Sequence, residues 1–224
     1  MSADAHGSNS PPAAGLETAH LERLSQDARY RVRVIYEEAF PIRQRVPFDE
    51  LEVDARRGDE IALVGLEQGR PVGLAFLSRL ESAGCLFLEY YAVAIGLRGA
   101  GRGQSLWMAV AGELAECRPR RAIVLEVEDP SESDLDAAEA ALRVRRARFW
   151  ERVGARALPV EEYVIPNIDG TGVESMRLMW MPGPLDREAP AGQELCELVL
   201  ALYKSGYGLG PDHALAQRAL AALG

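Results

Sequence analysis

Cysteine and histidine are scarce in this 224-residue chain, with three of each. Cys85, Cys117 and Cys196 are odd in number, far apart and without any Cys-x-x-Cys spacing. They suggest neither a disulfide framework nor a structural zinc site. His6, His20 and His213 contain no pair at metal-ligand spacing, so no metal is expected. Positive charge is also in short supply. The net charge is -9 and the pI about 5.0, which argues against a general nucleic-acid binder. An acidic surface favours cationic partners, protonated amines among them, or serves only solubility. Met1–Pro12 lacks a basic region followed by an apolar run. No stretch approaches the ~20 apolar residues of a membrane helix. A cytoplasmic, reducing location without a membrane partner is the expectation.

What the chain does have is apolar content: 48% of its residues are hydrophobic. That suits one well-buried domain with room for a small appendage. Residues 1–15 are rich in Ser, Asn, Gly and Pro and are expected to be a disordered tail. From Leu16 to Phe40 the spacing of Leu21, Leu24, Ala28, Val32, Ile35 and Ala39 predicts a helix, ended by Pro41. A second helix is expected over Phe48–Arg57. Glu60–Leu66 and Pro71–Leu80 read as a hairpin around Gln68-Gly69-Arg70. Further strands are expected at Leu86–Ala94, Arg121–Glu128, Arg156–Ile165 and Glu174–Met181. Helices are expected at Gln104–Glu116 and Arg143–Val153, with Gly154 as a cap. The order gives a mixed α/β domain over 16–182 with one parallel crossover, from the 86–94 strand to the 121–128 strand. Residues 183–190 read as a linker. In 191–224, Leu195, Leu198, Val199 and Leu202 share one helical face. That stripe is expected to cover its own domain, with a homodimer as the alternative.

The strongest local signal is Arg98-x-x-Gly101-x-Gly103, between a strand and a helix. Glycines allow positive φ and close approach of backbone amides to a ligand. The helix start adds a partial positive charge, so a pyrophosphate is a natural guest. Arg98 and Arg102 can add charge-assisted contacts. The spacing separates this loop from other phosphate loops. A dinucleotide fingerprint would need Gly where Gln104 stands, and a Walker A loop would need a terminal Gly-Lys-Ser/Thr.

This loop resembles the coenzyme A pyrophosphate loop of the GNAT superfamily. The resemblance runs from about Leu16 to Met181 and is best over Leu86–Met181. Arg148-Phe-Trp-Glu-Arg-Val-Gly154 is similar to the family's fourth-helix signature. Asp129–Ala141, Arg143–Arg148 and Tyr163–Pro166 are similar to an acidic insertion, an Arg-rich helix and a Tyr-x-x-Pro strand in a bacterial subgroup. The resemblance implies a mostly antiparallel mixed sheet whose fourth and fifth strands splay apart, flanked by helices, with the C-terminal helices as an appendage. It implies acetyl-CoA as co-substrate, held along Val93 and Ala94 and by Leu97, Arg98, Gly99, Ala100, Gly101, Arg102 and Gly103. It also implies a small-molecule or protein amine acceptor that attacks the thioester directly.

An amine near pKa 10 must lose a proton before it attacks. Glu89, in the 86–94 strand, is the candidate base; it shares the parity of the family position but sits two residues nearer the loop. Its other reading is a structural strand residue. Glu126 is the second candidate, followed by Glu128. Where many relatives carry a Tyr acid, this chain has Trp150, which cannot donate as an acid and packs beside the coenzyme or in the core. Tyr163 is a distant substitute. Arg143, Arg145, Arg146 and Arg148 read as a solvated or salt-bridged face. Two rival functions stay open: a noncatalytic coenzyme A-binding sensor or scaffold, and a nucleotide-binding domain.

Overall fold

A computed structural model describes residues 16–99, 101–116, 122–133, 135–183 and 188–223. The expected tail at 1–15, Ala100, Cys117, Arg121 and residues 184–187 of the expected linker lie outside the described residues.

The expected helix from Leu16 is divided. Glu17–His20 forms β1, antiparallel to β2 (Glu60–Glu67) in the register Glu17 to Leu66 and His20 to Leu63. A single turn at Leu21–Arg23 buries Leu21. Ser25 then caps α1 (Gln26–Ala39), its hydroxyl accepting from the Ala28 amide. The cap and the open sheet edge beside β2 outweigh the helical spacing of Leu21 and Leu24. α2 (Phe48–Arg57) ends at Gly58, whose φ of 80° closes the helix.

β2 and β3 (Arg70–Leu80) form the expected hairpin, and β4 (Cys85–Val93) follows. α3 (Arg102–Glu116) crosses to β5 (Ile123–Glu128), which lies parallel to β4. α4 (Ala137–Arg152) starts six residues before the expected Arg143. Asp136 caps it by accepting from the Ala138 and Glu139 amides. The strand expected over 156–165 is two fragments, β6 (Arg156–Ala157) and β7 (Val164–Pro166). Pro159 has no amide to donate, and Glu162 takes a φ of 53°, so no continuous ladder spans them. β8 (Val173–Met181) pairs with β5, β6 and β7. The sheet order is β1-β2-β3-β4-β5-β8-β6, antiparallel except at β4–β5.

α3 and α4 cover one face, over Leu63, Leu77, Leu88, Leu125 and Met179. α3 lies close because a Cβ at Gly65 or Gly73 would stand 2.4 Å or 2.6 Å from Leu106. The other face carries two separate apolar clusters. One joins α1 and α2 to Val64, Leu74, Phe76 and Tyr90. The second joins α5 (Gly192–Tyr207) and α6 (Ala214–Ala221) to Leu80, Phe87, Val124, Leu178 and Trp180. The stripe of Leu195, Leu198, Val199 and Leu202 is buried there against its own sheet. No helix among the described residues is long and apolar enough to cross a membrane.

Candidate functional site

β4 and β5 stay paired only from Leu86 to Leu88, opposite Ile123 to Leu125. Beyond that point β4 continues along β3 to Val93, while β5 continues along β8 to Glu128. A gap opens between them. The register explains the divergence. Leu88 faces Leu77 and Tyr90 faces Phe76, so Glu89 is the extra residue of a bulge. A bulge bends its strand and re-aims a side chain.

Glu89 therefore sits at the mouth of the gap, half-buried, and accepts a hydrogen bond from Ser78. Burial raises its pKa, and Asp54 adds to the rise against the opposing Ser78 bond. Across the gap, Glu126 projects from β5 on the same face, since Phe87 pairs with Val124. Tyr163 donates to Glu126 Oε1 at 2.6 Å, and Tyr207, from the end of α5, donates to Oε2. Burial lifts the Glu126 carboxyl to about 7; the two tyrosine bonds oppose the rise and the charge of Glu89 adds to it. Tyr163 and Tyr207 are themselves pushed well above the usual phenol range, first by burial and then by Glu126. They keep their protons at neutral pH. The first and second expected carboxylates are thus brought together, and Tyr163 joins them. Glu128 is not part of this group, because it pairs with Arg146.

The backbone beside the gap is partly committed. The Ala94 amide donates to Val72 O and the Ala94 carbonyl accepts from the Leu97 amide, both at 2.9 Å. Of the two residues expected on the open edge, Val93 is the one that faces the gap, because hydrogen-bonding direction alternates along a strand. Arg98 Nε donates to Val93 O at 3.1 Å.

The loop then turns through a short helical turn at Ile95–Leu97 into α3. Gly99 and Gly101 have φ of 98° and 78°, with no atom within 4 Å of a Cβ built there. Such backbone is strained for any other residue but leaves a ligand room to approach. Gly103 is held from beneath: Tyr91 donates to its carbonyl at 2.5 Å, and the Phe149 ring would lie 3.2 Å from its Cβ. Partial burial, and then the charge of Arg146, lower the pKa of Arg98. Arg102 is engaged elsewhere, with Nη1 2.5 Å from Glu67 Oε1. These residues fit a pyrophosphate: a glycine backbone open to approach, a 15-residue helix starting there, and Arg98 beside it.

Trp150 is buried, packed edge-on against Tyr91 and Trp107. Its place is the core beneath the loop. Arg143 is buried too, bonded to Glu132 at 2.6 Å, Glu139 at 3.2 Å and Glu174 at 3.4 Å. The acidic stretch after β5 is thereby tied down by Arg143 and Arg177. Sequence reasoning missed Tyr207, Ser78 and Glu60. Glu60 opposes Ser78 on the same face as Glu89, and burial lifts its carboxyl to about 9, with Glu89 and Asp54 adding to the rise and Arg79 opposing it. The alternation of Glu60 with buried Ala62 and Val64 was the one available signal.

A profile of the acetyltransferase (GNAT) family matches residues 28–141. No curated protein matches the sequence. Among solved structures, a GNAT-family protein of Bacteroides thetaiotaomicron is similar at a TM-score of 0.65 and 20% identity, over 82% of this chain and 93% of its own. An aminoglycoside 6'-N-acetyltransferase complexed with coenzyme A follows at 0.57 and 17%, over 77% and 99%. Arabidopsis thaliana Naa50, in complex with the bisubstrate analogue CoA-Ac-MVNAL, is similar at 0.51 and 14%, over 75% and 98%. At these identities the structural likeness concerns the fold.

Proposed function

The chain belongs to the GNAT acetyltransferase family, and from that premise we propose that it moves an acetyl or other small acyl group from acyl-CoA to a primary amine. The amine attacks directly, within a ternary complex. The observation that carries this reading is the pair of carboxylates, Glu89 and Glu126, facing one another across the β4–β5 gap behind a glycine loop at a helix start. The matched folds include one complexed with coenzyme A and one with a coenzyme A–peptide analogue, which supports acetyl-CoA as donor.

The residues divide the work. The backbone of Leu97 to Gly103, with Arg98, takes the pyrophosphate, and the open edge at Val93 takes the pantetheine arm as an added strand would. The thioester supplies an activated acyl carbon. Glu89 removes the proton of the acceptor nitrogen, directly or through one water. Its raised pKa brings it towards the range where a base works at neutral pH. The new bond joins nitrogen to the acyl carbon, the carbon–sulfur bond breaks, and the sulfur leaves as the thiolate of coenzyme A. A thiol of pKa ~8.5 leaves readily, so the lack of an acid at Trp150 is tolerable. Glu126 adds negative charge that draws an ammonium into the gap.

The test is a panel of small amines and peptides incubated with acetyl-CoA, read by thiol release and by product mass. Thiol release that depends on the amine, with the matching amide formed, is the expected result. Tight coenzyme A binding with no amide from any acceptor would favour the sensor or scaffold reading instead.

A further inference from the structure

The loop between α1 and α2 is fastened at two places, and these stand on opposite sides of the β4–β5 gap. On the β4 side, the Val46 amide donates to the Tyr90 hydroxyl at 3.3 Å, and the Tyr36 hydroxyl donates to the Val46 carbonyl at 3.0 Å. On the β8 side, the Ile168 amide donates to the Arg43 carbonyl at 2.7 Å, and Gln44 Nε2 donates to Glu174 Oε2 at 2.5 Å. β5 lies between β4 and β8 in the sheet, so the loop passes over the gap. It crosses at the outer end. Met176 pairs with Glu128, the last residue of β5, and Glu174 lies two residues beyond.

The two fastenings differ in kind. Tyr36 and Tyr90 are buried among Phe40, Phe48 and Phe76, so the Val46 end is part of a core. The other end is two hydrogen bonds to a hairpin whose residues 168–173 are exposed, and Ile42 in the loop is 71% exposed. Segments with few buried apolar contacts are the ones that open first. Glu174 does not belong to the part that can move. It is buried, and its Oε1 lies 3.4 Å from Arg143 Nη2. Arg143 is in turn fixed by the Asp129 carbonyl, Glu132 and Glu139. When Gln44 leaves, Glu174 keeps Arg143, so no buried charge is stranded, and the half-buried Gln44 amide passes to water.

We propose that Glu174 is a positioning residue, the fixed catch of a latch with Gln44. The latch holds residues 42–46 as a strap across the outer end of the gap, hinged at Val46 and released at Gln44. A bulky ligand enters from that end only when the latch is open, and its apparent affinity is reduced by the open fraction. The latch itself assumes nothing about the reaction. That the entering ligand is an amine acceptor rests on the acyl-transfer reading above.

Amide hydrogen exchange at Ile168 and Val46, followed by NMR, tests the latch without any substrate. In Gln44→Leu, exchange at Ile168 is expected to speed up roughly tenfold or more, with exchange at Val46 and the coenzyme A dissociation constant unchanged. Gln44→Glu sets two carboxylates against each other and should act at least as strongly. Adding Glu174→Gln to it turns the bond around, with the amide on β8 and the carboxylate on the loop, and should return Ile168 to the wild-type rate. A loop that is merely loosened would speed Val46 as much as Ile168 and would not respond to the swapped pair. Either of those results, or an unchanged Ile168 rate in Gln44→Leu, would overturn the proposal. Turnover with acetyl-CoA separates the latch from the acyl-transfer reading. In Gln44→Leu, kcat/KM should rise about threefold or more for an alanine-initiated pentapeptide and stay level for ethylamine. Faster exchange at Ile168, with no amide formed from these two or any other amine of the panel, keeps the latch and contradicts acyl transfer. Amide formation with the same kcat/KM in wild type and Gln44→Leu for every acceptor keeps acyl transfer and overturns the strap's control of entry.

Discussion

Tyr207 meets Glu126 across 81 positions of sequence. Its hydroxyl stabilises the ionised carboxylate and so holds the Glu126 pKa down. Tyr207→Phe removes that bond. The Glu126 pKa should then rise above about 7, and the acid limb of the amine kcat/KM profile should move to higher pH. A limb that does not move would take the ionisation of Glu126 out of acceptor binding. Glu60 makes a second prediction, read through stability. Its folded pKa, about 9, stands above the usual carboxylate range. The folded state thus favours the protonated form. That contribution is fully present below the ordinary carboxylate pKa and is lost as pH rises towards 9. Glu60→Gln carries no such loss, so its Tm advantage over wild type should widen between pH 5 and 9, in thermal melts at about one-unit steps. Parallel curves would mean that Glu60 titrates normally. Of these residues, Glu89 and Glu126 were legible because they break apolar strands. Tyr207 was not, since periodicity predicts the buried face of α5 but not the partner of its last residue.

Among the elements, the β4–loop–α3 unit was the most legible. Arg98-x-x-Gly101-x-Gly103 marked the turn from strand to helix, and the structure gives Gly101 the positive φ that such a turn needs. Asp at this position would be strained, would fill the approach and would repel phosphate. Gly101→Asp is expected to weaken coenzyme A binding at least tenfold, or ~1.4 kcal/mol. Unchanged calorimetry in a folded variant would move the pyrophosphate elsewhere. The bulge at Glu89 was hidden, because it depends on the register against β3 and not on β4 alone. β1 was hidden for a related reason. Four residues carry too little pattern to show a strand, and the edge of β2 that recruits them is distant in sequence. The ties of the acidic stretch after β5 to Arg143 and Arg177 were hidden as well, because they come from α4 and β8 folding back over it.

At the scale of the whole molecule, the C-terminal helices and the β4–β5 gap are one construction. α5 buries Leu195, Leu198, Val199 and Leu202 on the sheet and ends with Tyr207 in the gap. Deleting residues 190–224 should therefore lower the Tm and also shift the pH dependence of any remaining activity. Unchanged stability and unchanged oligomeric mass would deny the stripe a structural role. The central claim is that the β4–β5 gap is where an amine loses its proton and takes an acyl group. Its most direct test is the pH–rate profile of amine acetylation for wild type and Glu89→Gln, with coenzyme A affinity measured beside it. Glu89→Gln is expected to lower kcat by roughly 10²-fold near neutral pH, to leave the coenzyme A dissociation constant unchanged, and to recover in part at high pH, where more of the amine is free. Wild-type kcat across the whole profile would contradict the account and place the proton transfer on another group.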